Sequence, residues 1–261
     1  PRGVDSGLDG DGAALAERAA IYTSTRIFGY IHRPLRYAMV TPITAPEYPT
    51  MTIEEERAAQ LAAIEEEIRG LTESPLYEYR TMNHYNPVIG EGRPTAEIVF
   101  IGEAPGEVEA KTGRPFVGPA GRVLDSLLAD IGLEREDIYI TNVVKDRPPD
   151  NRDPRVKEVR LYSSFLWRQL VIIQPRVIVP LGRHALAFVR RHFAGFLAEG
   201  SVSTLHGTAY PVDAPYGRVF IMPLYHPAVL FYREDLKETM ALDFRLLAEL
   251  LTNRQPAESS A

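Results

Sequence analysis

Four short apolar runs that alternate with longer helical stretches constrain the fold of this chain more than any other feature. The runs are rich in β-branched residues: Ile98–Ile101, Ile138–Asn142, Val177–Leu181 and Val219–Leu224. Runs of this kind are typical of strands that are buried on both faces. The intervening stretches have helical periodicity over residues 120–131, 154–173, 184–193 and 234–253. The alternation predicts an α/β fold, a three-layer α/β/α sandwich around a central four-stranded parallel sheet.

The loop after the first run is the strongest candidate for a binding site. Ile98–Ile101 leads into Gly102 and Glu103, followed by Pro105–Gly106 and a second Gly-rich turn that presents Phe116. Ligands of open α/β sheets bind outside the carboxyl ends of the strands, which is where this loop lies. The pattern alone fits an ordinary strand–helix connection equally well, because it lacks the glycine spacing of dinucleotide and phosphate loops.

The composition is that of a folded domain with no strong charge signal. The chain has 261 residues, of which 45% are hydrophobic and 25% charged, and its net charge is −6. An acidic balance argues against a nucleic-acid binder, although the local field near a site matters more than the sum. Basic residues do cluster next to the candidate site, at Lys145, Arg147, Arg152, Arg155, Lys157 and Arg160. Neither a membrane span nor a secretory signal is visible, so we expect a cytoplasmic protein.

The first fifty residues differ from the rest of the chain. Residues 1–50 are irregular and rich in Gly, Asp and aromatic residues, and we expect an extension with few core contacts. Met51 resembles a natural start, with Thr52 as the cap of an amphipathic helix that ends near Leu71. The predicted organisation is therefore an extension at 1–50, one domain at 51–253 and a polar tail at 254–261.

Several short motifs occur in one fixed order along the chain. They are Gly102–Gly106, Lys111–Gly118, Ala120–Gly121, Thr141–Lys145, Arg147–Pro149, Asn151–Arg152 and His226–Ala228. With these motifs the chain resembles the family 4 uracil-DNA glycosylases from about Met51 to the C-terminal helix. The resemblance implies a monomeric DNA repair enzyme whose partner is uracil-containing DNA, single- or double-stranded. Such an enzyme flips uracil out of the stack and hydrolyses its N-glycosidic bond, which leaves an abasic site.

Two other functions compete with this interpretation. A protein of the same fold could bind damaged DNA with little or no turnover, but Asn142 and His226 are present and argue against that. An unrelated nucleotide-binding α/β enzyme would need a strict phosphate loop, which the sequence lacks.

The resemblance assigns a role in base recognition or catalysis to several residues. Phe116 would stack on the flipped base, and the Asn142 amide would pair with uracil O4 and N3–H. His226 would face O2 and stabilise the charge that develops there. Glu103 is the first candidate for polarising the water, and Glu109 is the second and a possible block to a C5 methyl group. On spacing alone, Phe116 fits a core residue and Asn142 fits a capping or turn residue as well.

Further residues are assigned to the base pocket and to the DNA-contacting loops. Besides Phe116, Asn142 and Glu109, the residues implied for the pocket are Gly102 and Ala104. The residues implied for DNA contact are Pro105, Gly106, Arg147, Pro148, Arg152, Pro227 and Leu230. Leu230 would be the apolar wedge that fills the vacated stack.

Cysteine is absent from the chain, which excludes disulfides and thiolate metal sites. The family carries four cysteines that hold an iron–sulfur cluster, and the resemblance aligns their positions with Leu71, Ser74, Asp146 and Tyr162. These side chains cannot replace the thiolates of a cluster. We therefore expect no cofactor and no metal. We expect these four positions to hold packing and surface residues in place of the iron–sulfur cluster, which links these segments in the family.

Overall fold

The computed structural model describes residues 51–196 and 198–252. The predictions for the extension at 1–50 and the tail at 254–261 lie outside the described residues and stay predictions. Across the described part of the chain, no helix is both long and apolar enough to cross a membrane.

The strands of the described residues form one six-stranded sheet in the order β1-β3-β2-β4-β6-β5. The strands are β1 (Glu91–Gly92), β2 (Ile98–Gly102), β3 (Tyr139–Asn142), β4 (Val177–Pro180), β5 (Tyr210–Ala214) and β6 (Gly217–Ile221). The four central strands β3, β2, β4 and β6 are parallel, as predicted, whereas β1 and β5 pair antiparallel at the two edges. The predicted count of four strands was therefore too small.

The two edge strands were missed because their sequences give weak signals. β1 has only two residues, which is too short for any periodic pattern. β5 contains Pro211 and buries only Val212, and a proline within a run counts against a strand in sequence interpretation.

Helices cover both faces of the sheet and confirm the three layers. They are α1 (Ile53–Arg69), α2 (Tyr77–Met82), α3 (Glu107–Thr112), α4 (Pro119–Ala129), α5 (Val156–Ile173), α6 (Gly182–His192), α7 (Val202–Leu205) and α8 (Lys237–Thr252). Alternate residues of a strand point to opposite faces. In β2, Val99 and Ile101 pack with α1, α5 and α6, whereas Ile98 and Phe100 pack with α4 and α8.

The start of α1 follows from local hydrogen bonding. The Glu55 backbone N–H donates to Thr52 Oγ1 at 3.2 Å, and the Thr52 N–H donates to Glu55 Oε2 at 2.8 Å. This reciprocal pair is a capping box, which satisfies two donors that a helix start leaves free. The predicted cap at Thr52 is confirmed.

The start of α4 packs unusually closely against the turn before it. Gly121 lies in the first turn of α4, and a methyl group at its position would overlap the carbonyl oxygen of Phe116. Gly121 thus allows the helix to sit directly beneath the backbone that carries Phe116.

We predict that Gly121→Ala destabilises the protein, although alanine is the better helix former by about 1 kcal/mol. The overlap forces a backbone shift of the kind that costs about 1–3 kcal/mol. After the gain in helix propensity of about 1 kcal/mol, a net loss of up to about 2 kcal/mol should lower Tm by up to roughly 8 °C. Gly70→Ala is the matched control, because the nearest backbone oxygen to a methyl group there lies at 3.5 Å. Equal Tm values for the two variants would contradict the close approach.

Candidate active site

A cleft of about 580 Å³ lies at the carboxyl edge of the parallel strands. This volume is in the range of small-molecule sites. Ten of the residues assigned from the sequence line it: Glu103, Ala104, Pro105, Gly106, Glu109, Phe116, Asn142, Pro148, Arg152 and His226. Gly102, Arg147, Pro227 and Leu230 are not among its lining residues. The structure thus brings most of the predicted site together from three segments, which follow β2, begin at the end of β3 and follow β6.

Phe116 forms one wall of the cleft and is held there by its backbone. It has φ of 50°, in the left-handed region that residues other than glycine rarely adopt. Glu109 Oε1 accepts from the N–H groups of Val117 at 3.0 Å and Gly118 at 2.7 Å, which fixes the turn. The ring packs in the core cluster shared with α4 and α8 and lies 5.5 Å from the His226 ring, centroid to centroid. Phe116 is therefore both a core residue and a surface of the cleft.

Gly102 lies beneath this wall and makes room for two neighbours. A methyl group at its position would overlap Asn142 Oδ1 and would lie 2.7 Å from carbons of the Phe116 ring. β2 and β3 are in register at this point, with Gly102 opposite Asn142. Gly102 thus permits the amide and the aromatic ring to converge on one point.

Asn142 ends β3 with its side chain toward the cleft, and it is only 2% exposed. Among the described residues, no group hydrogen-bonds its side-chain amide. The backbone carbonyl oxygen of Asn142 accepts a hydrogen bond from Lys145 Nζ at 2.9 Å. The backbone of Asn142 is thereby held while its amide remains available to a ligand.

Lys145 is fully buried, and its Nζ lies within hydrogen-bond distance of four oxygen atoms, which share its N–H donors. Besides Asn142 O, Nζ lies 2.6 Å from Thr141 Oγ1, 2.6 Å from Gln169 Oε1 and 3.2 Å from the Ile89 carbonyl oxygen. Burial lowers the pKa of Lys145 well below its usual value. Lys145 therefore does not contribute to the basic surface expected from the sequence. It holds the end of β3 instead.

His226 lines the cleft beside Phe116, just before a 3-10 turn over Pro227–Phe231. The Ala228 N–H donates to His226 Nδ1 at 3.2 Å, so the proton of the neutral ring belongs on Nε2. Burial lowers the pKa of His226 to about 4, and the charge of Glu109 opposes this shift only in part. At neutral pH, His226 is an uncharged donor.

Glu103 lies at the mouth of the cleft with two ionisable neighbours. His184 Nε2 is 3.7 Å from Glu103 Oε2 and 3.7 Å from Asp153 Oδ1. Burial raises the pKa of Glu103, and the Asp153 charge adds to the effect while His184 and Arg183 oppose it. Glu103, Asp153 and His184 offer possible metal-ligand atoms within 4.8 Å of one another. Asp153 is exposed and paired with Arg183, and we assign no metal to the trio.

The two predicted phosphate-binding arginines are both engaged within the protein. Arg147 donates to Tyr85 Oη at 2.6 Å and to Asn151 Oδ1 at 2.8 Å. Arg152 pairs with the buried carboxylate of Glu158 at 2.6 Å. Each would have to share or exchange these partners to bind a phosphate.

The loop after His226 differs from the sequence interpretation in its exposed residues. Pro227 is buried, and Leu230, the predicted wedge, packs partly buried against the core. The exposed apolar side chains at this place are Phe231, at 51%, and Tyr232, at 86%. Both also line the cleft. The motif match had drawn attention to Leu230 and away from these aromatic residues.

Comparison with known proteins identifies the family of the chain. Residues 89–247 match the family model described as the uracil DNA glycosylase superfamily. The type-4 uracil-DNA glycosylase of Archaeoglobus fulgidus is 46% identical over 178 residues, which cover 68% of this chain and 87% of that protein. The type-4 enzyme of Sulfurisphaera tokodaii is 42% identical, over 73% of this chain and 84% of its own. The type-4 enzyme of Saccharolobus solfataricus is 39% identical, over 74% and 88%. The chain belongs to the uracil DNA glycosylase superfamily and, within it, to the type-4 glycosylases.

Proposed function

We propose that this protein is a monofunctional uracil-DNA glycosylase that hydrolyses the N-glycosidic bond of uracil in DNA and leaves an abasic site. The observation that carries the proposal is the convergence of the Phe116 ring, the Asn142 amide and the neutral His226 ring on one cleft. The relatives from Archaeoglobus fulgidus and Sulfurisphaera tokodaii, which match 68% and 73% of this chain, are named as uracil-DNA glycosylases. A damaged-DNA-binding protein without turnover is not favoured, because the cleft has both the base-reading and the leaving-group residues.

In this proposal, a flipped uracil stacks on Phe116 and is read by Asn142. The amide oxygen accepts from uracil N3–H and the amide nitrogen donates to O4. Cytosine presents the opposite pattern, so buried polar groups would remain unpaired at about 1–3 kcal/mol each. The discrimination depends on an amide that does not flip; the hydrogen bond from Lys145 to the backbone oxygen of Asn142 holds the backbone that carries it.

Bond cleavage leaves its electron pair on the base. As the bond between the sugar C1′ and uracil N1 breaks, negative charge spreads from N1 to O2. The His226 Nε2–H donates to O2 and stabilises that charge. A water molecule adds its oxygen to C1′, and the Glu103 carboxylate accepts the proton that the water loses.

We extend the proposal to a DNA-contacting rim around the cleft. Its predicted members are Pro105, Gly106, Arg147, Pro148, Arg152, Pro227 and Leu230, of which buried Pro227 and core-packed Leu230 could contact DNA only after a change in their loop. Arg147 is paired with Glu107 and Arg152 with Glu158. Both carboxylates would lose part of this pairing when the arginines bind DNA. The monomeric state, the action on single- or double-stranded DNA and the cytoplasmic location stay predictions.

We predict that His226→Ala slows uracil release by about a hundredfold to a thousandfold, because one preorganised donor to a developing negative charge is lost. The measurement is single-turnover release from a uracil-containing oligonucleotide, in which product release does not count. His84→Asn is the control, because His84 is exposed and does not line the cleft. A loss of less than about tenfold would place the leaving-group contact elsewhere.

Asn142→Asp should change specificity as well as rate. The carboxylate cannot donate to uracil O4, but it can accept from the cytosine amino group. Uracil release should therefore fall, while the ratio of cytosine to uracil release rises. Parallel single-turnover assays on matched uracil and cytosine oligonucleotides measure this ratio. Full uracil release by Asn142→Asp would show that this amide does not read the base.

The rate should also depend on pH through Glu103. The base acts as a carboxylate, so activity is present above its pKa and is lost as the pH falls through it. Because burial raises that pKa, the acid limb should lie above the range of an ordinary glutamate. Glu103→Gln should slow release by about a hundredfold or more and remove the limb.

Asp153→Asn provides the matched test for this assignment. The Asp153 charge helps to raise the pKa of Glu103, so its removal should move the acid limb to lower pH and leave the plateau unchanged. If Glu103→Gln keeps the wild-type pH profile, the titrating base is another residue.

A further inference from the structure

The four positions that the resemblance aligns with cluster cysteines come together in the fold. Leu71 and Ser74 follow α1, Asp146 lies beyond the end of β3, and Tyr162 belongs to α5. All four are buried. Leu71 packs in the core, and the three polar side chains form hydrogen bonds with one another.

The donor set at these positions does not fit an iron–sulfur cluster. Tyr162 Oη donates to Asp146 Oδ2 at 2.6 Å and lies 2.8 Å from Ser74 Oγ. Ser74 Oγ is also 3.5 Å from Asp146 Oδ2. Iron–sulfur clusters are bound by thiolates, whereas the chain has no cysteine and these oxygens are engaged with each other.

A fifth residue, which the sequence comparison does not single out, completes the arrangement. Arg80 of α2 is 5% exposed and donates to both carboxylate oxygens of Asp146, at 3.2 and 3.3 Å. It also donates to the carbonyl oxygens of Ile68 at 3.2 Å and Arg69 at 3.0 Å. These are the final carbonyls of α1, which have no partners within the helix. Arg80 therefore joins the end of α1 to Asp146.

We propose that the side chains of Ser74, Arg80, Asp146 and Tyr162, the polar staple, replace the cluster and that Asp146 is a positioning residue for base recognition. The staple connects the end of α1, α2 and α5 to the segment that follows β3. That segment runs from Asn142 to Pro148 without an exposed residue, and Asp146 is only four positions beyond Asn142. The catalytic part of this inference depends on the proposed glycosylase function, whereas the structural part does not.

The satisfaction of every member explains why the staple stabilises the fold. A buried ion pair helps only when its remaining hydrogen-bonding groups are also paired. Here the Asp146 carboxylate accepts from Tyr162 and Arg80, the Ser74 hydroxyl can donate to Tyr162 Oη, and Arg80 has both the carboxylate and two backbone oxygens. Loss of one member leaves the others buried without full pairing.

The structural part is tested by two Tyr→Phe substitutions that remove the same atom. Tyr162→Phe deletes a donor to Asp146, so Tm should fall by roughly 2–12 °C, the shift expected when a buried polar group loses a partner in a chain of this size. Tyr216→Phe is the matched control, because among the described residues the buried Tyr216 hydroxyl has no hydrogen-bond partner. Its Tm should stay the same or rise. Equal Tm values for the two variants overturn the staple.

The positioning part is tested at a temperature where each variant is folded. Asp146→Asn should slow single-turnover uracil release at saturating DNA by about tenfold or more, because small displacements of a recognition group have large effects on rate. Its affinity for the DNA should stay within about threefold of wild type, since no DNA contact is removed. Asp243→Asn is the control: it changes another buried carboxylate, paired with His206, and should keep the wild-type rate whatever its Tm.

Further variants make each result decisive. Arg80→Gln combined with Asp146→Asn replaces the ion pair by a neutral pair, and its loss of stability should be smaller than the sum of the single losses.

If Asp146→Asn does not fold, Tyr162→Phe takes its place in the rate measurement and should be slower than Tyr216→Phe. A folded Asp146→Asn, or its substitute, with the full rate overturns the positioning role. A wild-type protein that releases no uracil refutes the glycosylase proposal, and the Tm comparison still decides the staple.

Discussion

The burial of eight consecutive residues, Thr141 to Pro148, is the constraint on which the site depends. A buried segment needs internal partners for its polar groups. Two adjacent side chains of the segment, Lys145 and Asp146, form buried hydrogen bonds in different directions. Lys145 binds Asn142, Thr141, Gln169 and the Ile89 carbonyl, whereas Asp146 binds Arg80, Tyr162 and Ser74. Asn142 is thus placed by contacts to helices and loops on several sides.

The other wall of the cleft is fixed in a different way, by close backbone approach. Gly102 and Gly121 leave space that no side chain could leave, and Phe116 fills it in a left-handed conformation. Strained backbone of this kind persists only where the surrounding structure holds it in place. Glu109 does so, because its carboxylate accepts hydrogen bonds from the N–H groups of Val117 and Gly118. The aromatic surface is therefore in place before any base enters, and binding need not reorganise it.

Much of this arrangement followed from the sequence, because it depends on local patterns. The four parallel strands were visible as β-branched runs, and Asn142 and His226 follow β3 and β6, so they had to meet at one edge of the sheet. Pairings between distant residues were not predictable. Arg80 and Asp146 are 66 positions apart, and no periodicity shows that either is buried. For the same reason, Lys145 was expected at the surface: its burial depends on partners up to 56 positions away, which no local pattern indicates.

The groups proposed to hydrogen-bond uracil carry no formal charge. They are an amide and an uncharged imidazole, whereas the carboxylates that line the cleft are engaged elsewhere. Glu109, although buried, accepts from the N–H groups of Val117 and Gly118, which offsets part of the large cost of taking a charge out of water. A held N–H group has little to lose and interacts most strongly when negative charge appears on the base. The Ala228 N–H, by occupying Nδ1, keeps the His226 proton on Nε2, and burial lowers the pKa of the ring so that it is neutral. The acidic net charge of the chain is thus compatible with an anionic leaving group, because its stabilisation does not require a cation.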